Sequence, residues 1–332
     1  MKHSNISIFV PHIGCPHRCS FCDQNTISGA QHLPDGEEVR TICEKALREA
    51  KSPADTEIAF FGGSFTAIPR DYMLELLSAA SGFVGEGGFR GIRCSTRPDC
   101  ISHEVLELLK GYGVTAIELG AQSMDDGVLR ANERGHSAQD VRDASRLIKE
   151  HGIELGLQMM TGLCLSSPEK DMATAEEIIA LEPSTVRIYP VVVLENTVLA
   201  ERYKSGEYRM TPFDEMTALC ADMMLRFTEA GIRVIKCGLH ASEFVERDMV
   251  AGYYHPAFRE ICESLIYRRV IGEQLREKGI TSGSVTAAVN DRCISKAAGQ
   301  KRSNIAYFGE KGIGIRIAGD SSIPVYGCRI KE

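Results

Sequence analysis

The chain has 332 residues, 43% of them apolar and 25% charged, with a formal net charge of −7. A chain of this size and make-up buries a core without disulfide staples. It shows no apolar run near the roughly 18–20 residues of a membrane span and no charged-then-apolar leader, so a cytoplasmic address with reduced cysteines is expected.

Strand-like and helix-like segments alternate from the start. ISIFV (6–10) is a short β-rich run, and residues 37–51 follow with Val39, Ile42, Ala46, Leu47 and Ala50 at helical spacing. A strand over 57–61 ends at Gly62-Gly63 and leads to a helix over 71–80. The next pairs are a strand at 91–96 with a helix at 102–113, and a strand at 115–123 with a helix at 138–152. A strand at 153–160 precedes a helix at 169–181, and a strand at 185–193 precedes a long helix at 212–231. The last strand of the series is IRVIKCGL (232–239). Such alternation predicts βαβ units on a parallel sheet, and their number predicts an α/β fold with a partial (β/α)6 barrel of TIM type.

Composition shifts after Leu239, which divides the chain into a barrel over 1–240 and a small α+β appendage over 241–332. A helix is expected after Pro256, up to residue 279, and then short strands in SVTAAV, NIAYFG, GIRIAG and PVYGCRI. From Lys236 onward 15 Lys and Arg stand against 11 Asp and Glu, a net +4; the remainder, 23 against 34, is net −11. A basic tail of that size touches nucleic acid in some proteins, but on charge alone an ordinary solvated surface is the favoured reading.

The unusual residues gather at the carboxyl ends of the expected strands. Cys15, Cys19 and Cys22 form a C-x3-C-x2-C row after the first strand. Gly62-Gly63-Ser64 follows the second, Ser95 closes the third, Gln122-Ser123 the fourth and Gln158 the fifth, while Arg187 and Tyr189 lie on the sixth. In a parallel barrel that rim is the active-site face. Structural zinc takes four closed ligands, and no fourth partner stands at a matching spacing, although His12 and His17 are near. A cubane 4Fe-4S cluster held by three thiolates keeps one iron open for another ligand. The nine other cysteines are scattered singly and read as small buried hydrophobes.

The cysteine row, with Phe21 before its last member, resembles the signature of the radical S-adenosylmethionine (SAM) superfamily. The resemblance implies that Cys15, Cys19 and Cys22 hold a 4Fe-4S cluster and that its open iron is chelated by SAM. Reductive cleavage of SAM would then yield a 5′-deoxyadenosyl radical that abstracts hydrogen from a substrate. It implies cofactor-side positions for Phe21, Gly62, Gly63, Ser64, Ser95, Gln122, Gln158 and Tyr189. Arg134 is a candidate for the SAM carboxylate, since a guanidinium grips a carboxylate bidentately; a surface salt bridge is its other reading. It also implies an electron donor such as ferredoxin or flavodoxin.

Longer phrases, GGSFTAIP, STRPDCIS, IELGAQSMDDGVLRANERGH and VRIYPVVVLENTVLAERYKSGEY, resemble the Elongator catalytic subunit class, which modifies wobble uridines of tRNA. The resemblance runs over residues 5–240 and implies tRNA as the substrate class. The acetyltransferase domain of that class has no counterpart here: no Gly-rich acetyl-coenzyme A loop follows the barrel. GYYHPAFREICESLIYRR is instead similar to the C-terminal part of stand-alone bacterial radical SAM proteins. Two other readings stay open: an oxygen-independent coproporphyrinogen-dehydrogenase-like enzyme, and an iron–sulfur or SAM-binding sensor without turnover.

Overall fold

The computed structural model describes residues 4–10, 19–23, 26–27 and 32–331. Strand β1 (Ser4–Val10) is followed by α1 (Gly36–Glu49), β2 (Thr56–Gly62), α2 (Arg70–Ser81), β3 (Gly91–Thr96), α3 (His103–Gly111) and β4 (Val114–Gln122). Then come α4 (Asp126–Ala131), α5 (Ala138–Glu150), β5 (Glu154–Thr161), α6 (Pro168–Ala180), β6 (Thr185–Pro190), β7 (Val192–Leu194), α7 (Val198–Ser205), α8 (Phe213–Glu229) and β8 (Arg233–Cys237). Strands β1-β2-β3-β4-β5-β6-β8 make one sheet in that order, every neighbouring pair parallel. Strand order follows chain order, so each crossover lays its helix on the same outer face. The result is the expected partial barrel, with seven strands.

Local chemistry sets the helix starts. Ser137 and Asp140 form a reciprocal capping box at α5, satisfying donors that the first turn leaves unpaired. Asp35, Ser102, Asp125 and Ser167 accept from backbone N–H groups at the starts of α1, α3, α4 and α6. Inward faces follow helical period: Val141, Ala144 and Ile148 of α5 are buried against the sheet.

The run at 185–193, expected as one strand, is split. Val191 N donates to Thr161 O, after which β7 leaves the barrel sheet and pairs antiparallel with β9 (Met249–Gly252), which follows α9 (Glu243–Asp248). Helix α10 (Phe258–Glu277) then buries Phe258, Cys262, Ile266, Tyr267, Ile271 and Leu275. A three-stranded sheet, β11-β10-β12, closes the chain: β10 (Gly283–Val289) runs parallel to β11 (Ile313–Gly319) and antiparallel to β12 (Cys328–Lys331). Between β10 and β11 lie α11 (Ile294–Ala298) and α12 (Ser303–Glu310). NIAYFG, expected as a strand, is thus helical. The residues it buries, Asn304 and Phe308, are four apart, and Asn304 Nδ2 donates to the carbonyls of Ser264 and Ala297. One continuous core joins barrel residues such as Phe227 to Phe258, Ile271, Val285 and Ile330. No helix among the described residues is long and apolar enough to cross a membrane.

Candidate active site at the carboxyl ends of the strands

Side chains alternate across a strand, so every second residue of each barrel strand points inward. The deepest inward layer is ionic. Arg93 of β3, 1% exposed, donates from Nε to Glu57 of β2 at 2.7 Å and reaches Glu118 of β4 and Glu154 of β5 at 3.4 and 3.1 Å. Arg187 of β6 donates from Nη2 to Glu118 at 2.8 Å and lies over the Phe61 ring, 5.0 Å from its centroid. Burial by itself lowers both guanidinium pKa values, and the facing groups more than offset it: Glu57 and Glu118 for Arg93, Tyr189 and Glu118 for Arg187. Both therefore stay charged. The Tyr189 phenol is pushed up by burial and stays neutral.

Above this layer opens a cavity of about 510 Å³. Of the positions singled out in the sequence, Phe21, Cys22, Gly62, Ser95, Gln122, Gln158 and Tyr189 line it. Gln158 Nε2 bridges Ser95 Oγ at 3.2 Å and Glu118 Oε2 at 3.1 Å, joining the rim to the ionic layer. Gln122 lies where the β4–β5 register shifts, and its φ of +64° is a left-handed conformation that a non-glycine residue adopts at a cost. Its Oε1 is buried and has no hydrogen-bond partner among the described residues. Gly62 has φ +116°, and a Cβ there would stand 2.9 Å from Val10 O, so this glycine lets β1 and β2 close together at the rim. Gly63 N donates to the same carbonyl at 2.8 Å.

Other expected positions lie beside the cavity. Ser64 is buried; its Oγ meets Thr96 Oγ1 at 3.0 Å and accepts from Arg97 N at 3.0 Å, which ties the ends of β2 and β3. Arg134 is buried, donating from Nη1 to Cys19 Sγ at 3.1 Å and from Nη2 to Gly120 O at 2.6 Å, while Nε has no partner among the described residues. Cys22 N donates to Cys19 O at 3.1 Å, a tight turn that keeps the two thiols on one loop. Cys15, with His12 and His17, lies outside the described residues. Among the described residues no group of three or more His, Cys, Asp or Glu gathers as a metal cage. Seven of the nine scattered cysteines, Cys43, Cys94, Cys164, Cys220, Cys237, Cys262 and Cys293, are buried in the core.

The residues present fit an anionic iron–sulfur cluster with a polar ligand beside it. A guanidinium already faces the sulfur of Cys19, Cys22 opens on the cavity, and Gln122, whose amide oxygen is unpaired among the described residues, lines the same cavity. Arg187, placed on the sixth strand from sequence, lines the cavity too, and two basic lining residues, Lys236 and His240, were not singled out from sequence. Lys236 carried a signal, as a cation inside the otherwise apolar last strand VIKC.

The family model of the radical SAM superfamily matches residues 9–178, and that of the radical SAM C-terminal domain matches residues 183–268. A tRNA uridine(34) acetyltransferase of Dehalococcoides mccartyi is 27% identical over 253 residues, 66% of this chain and 55% of that protein. An uncharacterized protein of Methanocaldococcus jannaschii is 30% identical over 226 residues, 64% of this chain and 68% of that one. This chain thus spans about half the length of the first of these relatives. Among solved structures, the archaeal Elp3 of Methanocaldococcus infernus superposes with a TM-score of 0.56 at 19% identity, over 83% of this chain and 63% of that one, a likeness of fold.

Proposed function

We propose, for a chain that belongs to the radical SAM superfamily and is an enzyme using a 4Fe-4S cluster and SAM, that the cavity at the strand ends is its reaction chamber and that its substrate is tRNA. The observation that carries this reading is the convergence of Cys22, Gly62, Ser95, Gln122, Gln158 and Tyr189 on one cavity. When bound, the cofactors supply reductive cleavage of SAM and abstraction of a hydrogen atom. The residues of the chain bind, orient and shield. Cys15, Cys19 and Cys22 are the cluster ligands, with Phe21 before the last of them in sequence. Gly62 and Gly63 leave backbone open to the amino group of SAM, and Gln122, Gln158 and Ser95 offer amide and hydroxyl groups to its ribose and carboxylate. Tyr189 closes the wall at the adenine side. Arg134 acts chiefly on the sulfur of Cys19, to which it donates, and its Nε, without a partner among the described residues, is what remains for a carboxylate. Ser64 supports the rim from behind. The tRNA assignment rests on the tRNA uridine(34) acetyltransferase relative, and with it go a cytoplasmic location and an electron donor of the ferredoxin or flavodoxin kind.

The test is release of 5′-deoxyadenosine from anaerobically reconstituted protein given SAM and a strong reductant, with and without bulk tRNA. Release is expected in wild type, is expected to rise with tRNA, and is expected to fall to background in Cys22→Ala. Release indifferent to tRNA removes the tRNA assignment; none from cluster-loaded protein removes the enzymatic reading of the cavity.

A further inference from the structure

On the wall formed by the last strand, the cavity has a charge that, among the described residues, no hydrogen bond or ion pair answers. Lys236 of β8 stands in register with Arg187 of β6, and both line the cavity. The charge of Arg187 is matched by Glu118, and that of Arg93 by Glu57 and Glu118. Lys236 is half-buried, and among the described residues no hydrogen bond or ion pair engages it. His240, three residues beyond the strand, lines the same cavity. Burial, then Arg187 and Arg259, lower the lysine pKa by more than the facing Glu260 raises it, while burial, then Lys236, lower that of His240. A half-desolvated ammonium held next to a second cation is unfavourable by itself, and an anion on its open side reverses the sign. Gly62, Gln122 and Gln158, given to SAM, stand on β2, β4 and β5; of the SAM-side residues only Tyr189, on β6, borders the strand of Lys236.

We infer that Lys236, with His240 lining the same cavity, is an oxyanion-binding element for the substrate, taking a phosphate or carboxylate group that the substrate presents to the cavity. The inference deepens the proposed function, resting on the cavity being the reaction chamber. Phosphate would come from a polynucleotide and carboxylate from a small organic acid, and the test separates them.

Inorganic phosphate and acetate are titrated calorimetrically into cluster-reconstituted, SAM-saturated protein. One of them is expected to bind wild type, to bind Lys236→Arg comparably, and to bind Lys236→Gln at least about tenfold more weakly, the loss of one charge-assisted contact. Lys149→Gln, on the outer helix α5, serves as the control for general charge and is expected to match wild type. Tighter phosphate points to a polynucleotide, tighter acetate to an organic acid. The inference is overturned if neither anion binds wild type, or if Lys236→Gln binds as wild type does. It is equally overturned if that variant loses SAM affinity while anion affinity holds, since Lys236 would then serve the cofactor. Anion binding without deoxyadenosine release sinks the reaction-chamber reading alone, and release without anion binding sinks this inference alone.

Discussion

At Gln122 a long polar side chain sits on a backbone that glycine would hold more cheaply, with its amide oxygen buried and unpartnered among the described residues. Strain and an unmet acceptor at one residue mark a place kept for a ligand. Gln122→Gly is expected to be about 1 kcal/mol more stable than Gln122→Ala in urea titration, because only the alanine keeps the left-handed strain. Both are expected to bind SAM roughly tenfold more weakly by calorimetry, having lost the same acceptor. Wild-type SAM affinity in both variants would refute the ligand role. His136 makes a second residue-scale prediction. Its ring is buried, with Nε2 3.2 Å from Ala121 O, and burial, followed by the Arg134 charge, lowers its pKa to about 4. The folded value lies below the unfolded one near 6.5. Folding thus favours the neutral ring: its contribution is intact above pH 6.5 and is lost as pH falls from 6.5 toward 4. Melts in that window should show a stability loss on the order of 2–3 kcal/mol that is absent in His136→Gln. Parallel pH profiles for the two proteins would rule this out.

The elements of the barrel meet in its interior, where Arg93 ties β2, β3, β4 and β5 and Arg187 brings β6 to the same Glu118. Breaking a buried ion pair from one side leaves a charge stranded in a poor solvent. Arg93→Met is therefore expected to cost about 3–5 kcal/mol, read as a lowered urea midpoint. Adding Glu57→Gln should recover part of that loss; a double variant no better than the single one would mean that packing, not charge, dominates. Elements were also where the sequence misled. Period two in an apolar strand was visible in ISIFV and EIAFF, but NIAYFG is too short for period to decide between strand and helix. The polar links of Asn304 to Ser264 and Ala297 settle it as α12.

Over the whole molecule, the composition shift after Leu239 marks a boundary along the chain that the core does not respect. Helix α10 carries Phe258 and Cys262 into the same apolar cluster as Cys220 and Phe227 of α8, and Val285 and Ile330 of the terminal sheet belong to it too. Residues 1–240 and 241–332 are therefore expected to unfold in one calorimetric transition, with equal van't Hoff and calorimetric enthalpies. Two resolved transitions would show instead that the terminal part is an independent body.

The chain by itself determined the order of strands and helices and the rim on which its polar residues gather, because both follow from local periodicity and from glycine, serine and proline punctuation. It also determined the C-x3-C-x2-C row, since ligand spacing is a property of neighbours in sequence. Only the tertiary structure decided which charges face one another. Glu57, Arg93, Glu118 and Arg187 lie on four strands and are separated by 25 to 69 positions where they pair. It likewise decided that Arg134 turns to Cys19, 115 positions away, and that Lys236 stands in register with Arg187, with no hydrogen bond or ion pair among the described residues. Pairing across a parallel sheet depends on register and on crossover, and neither is written in any single stretch of the chain.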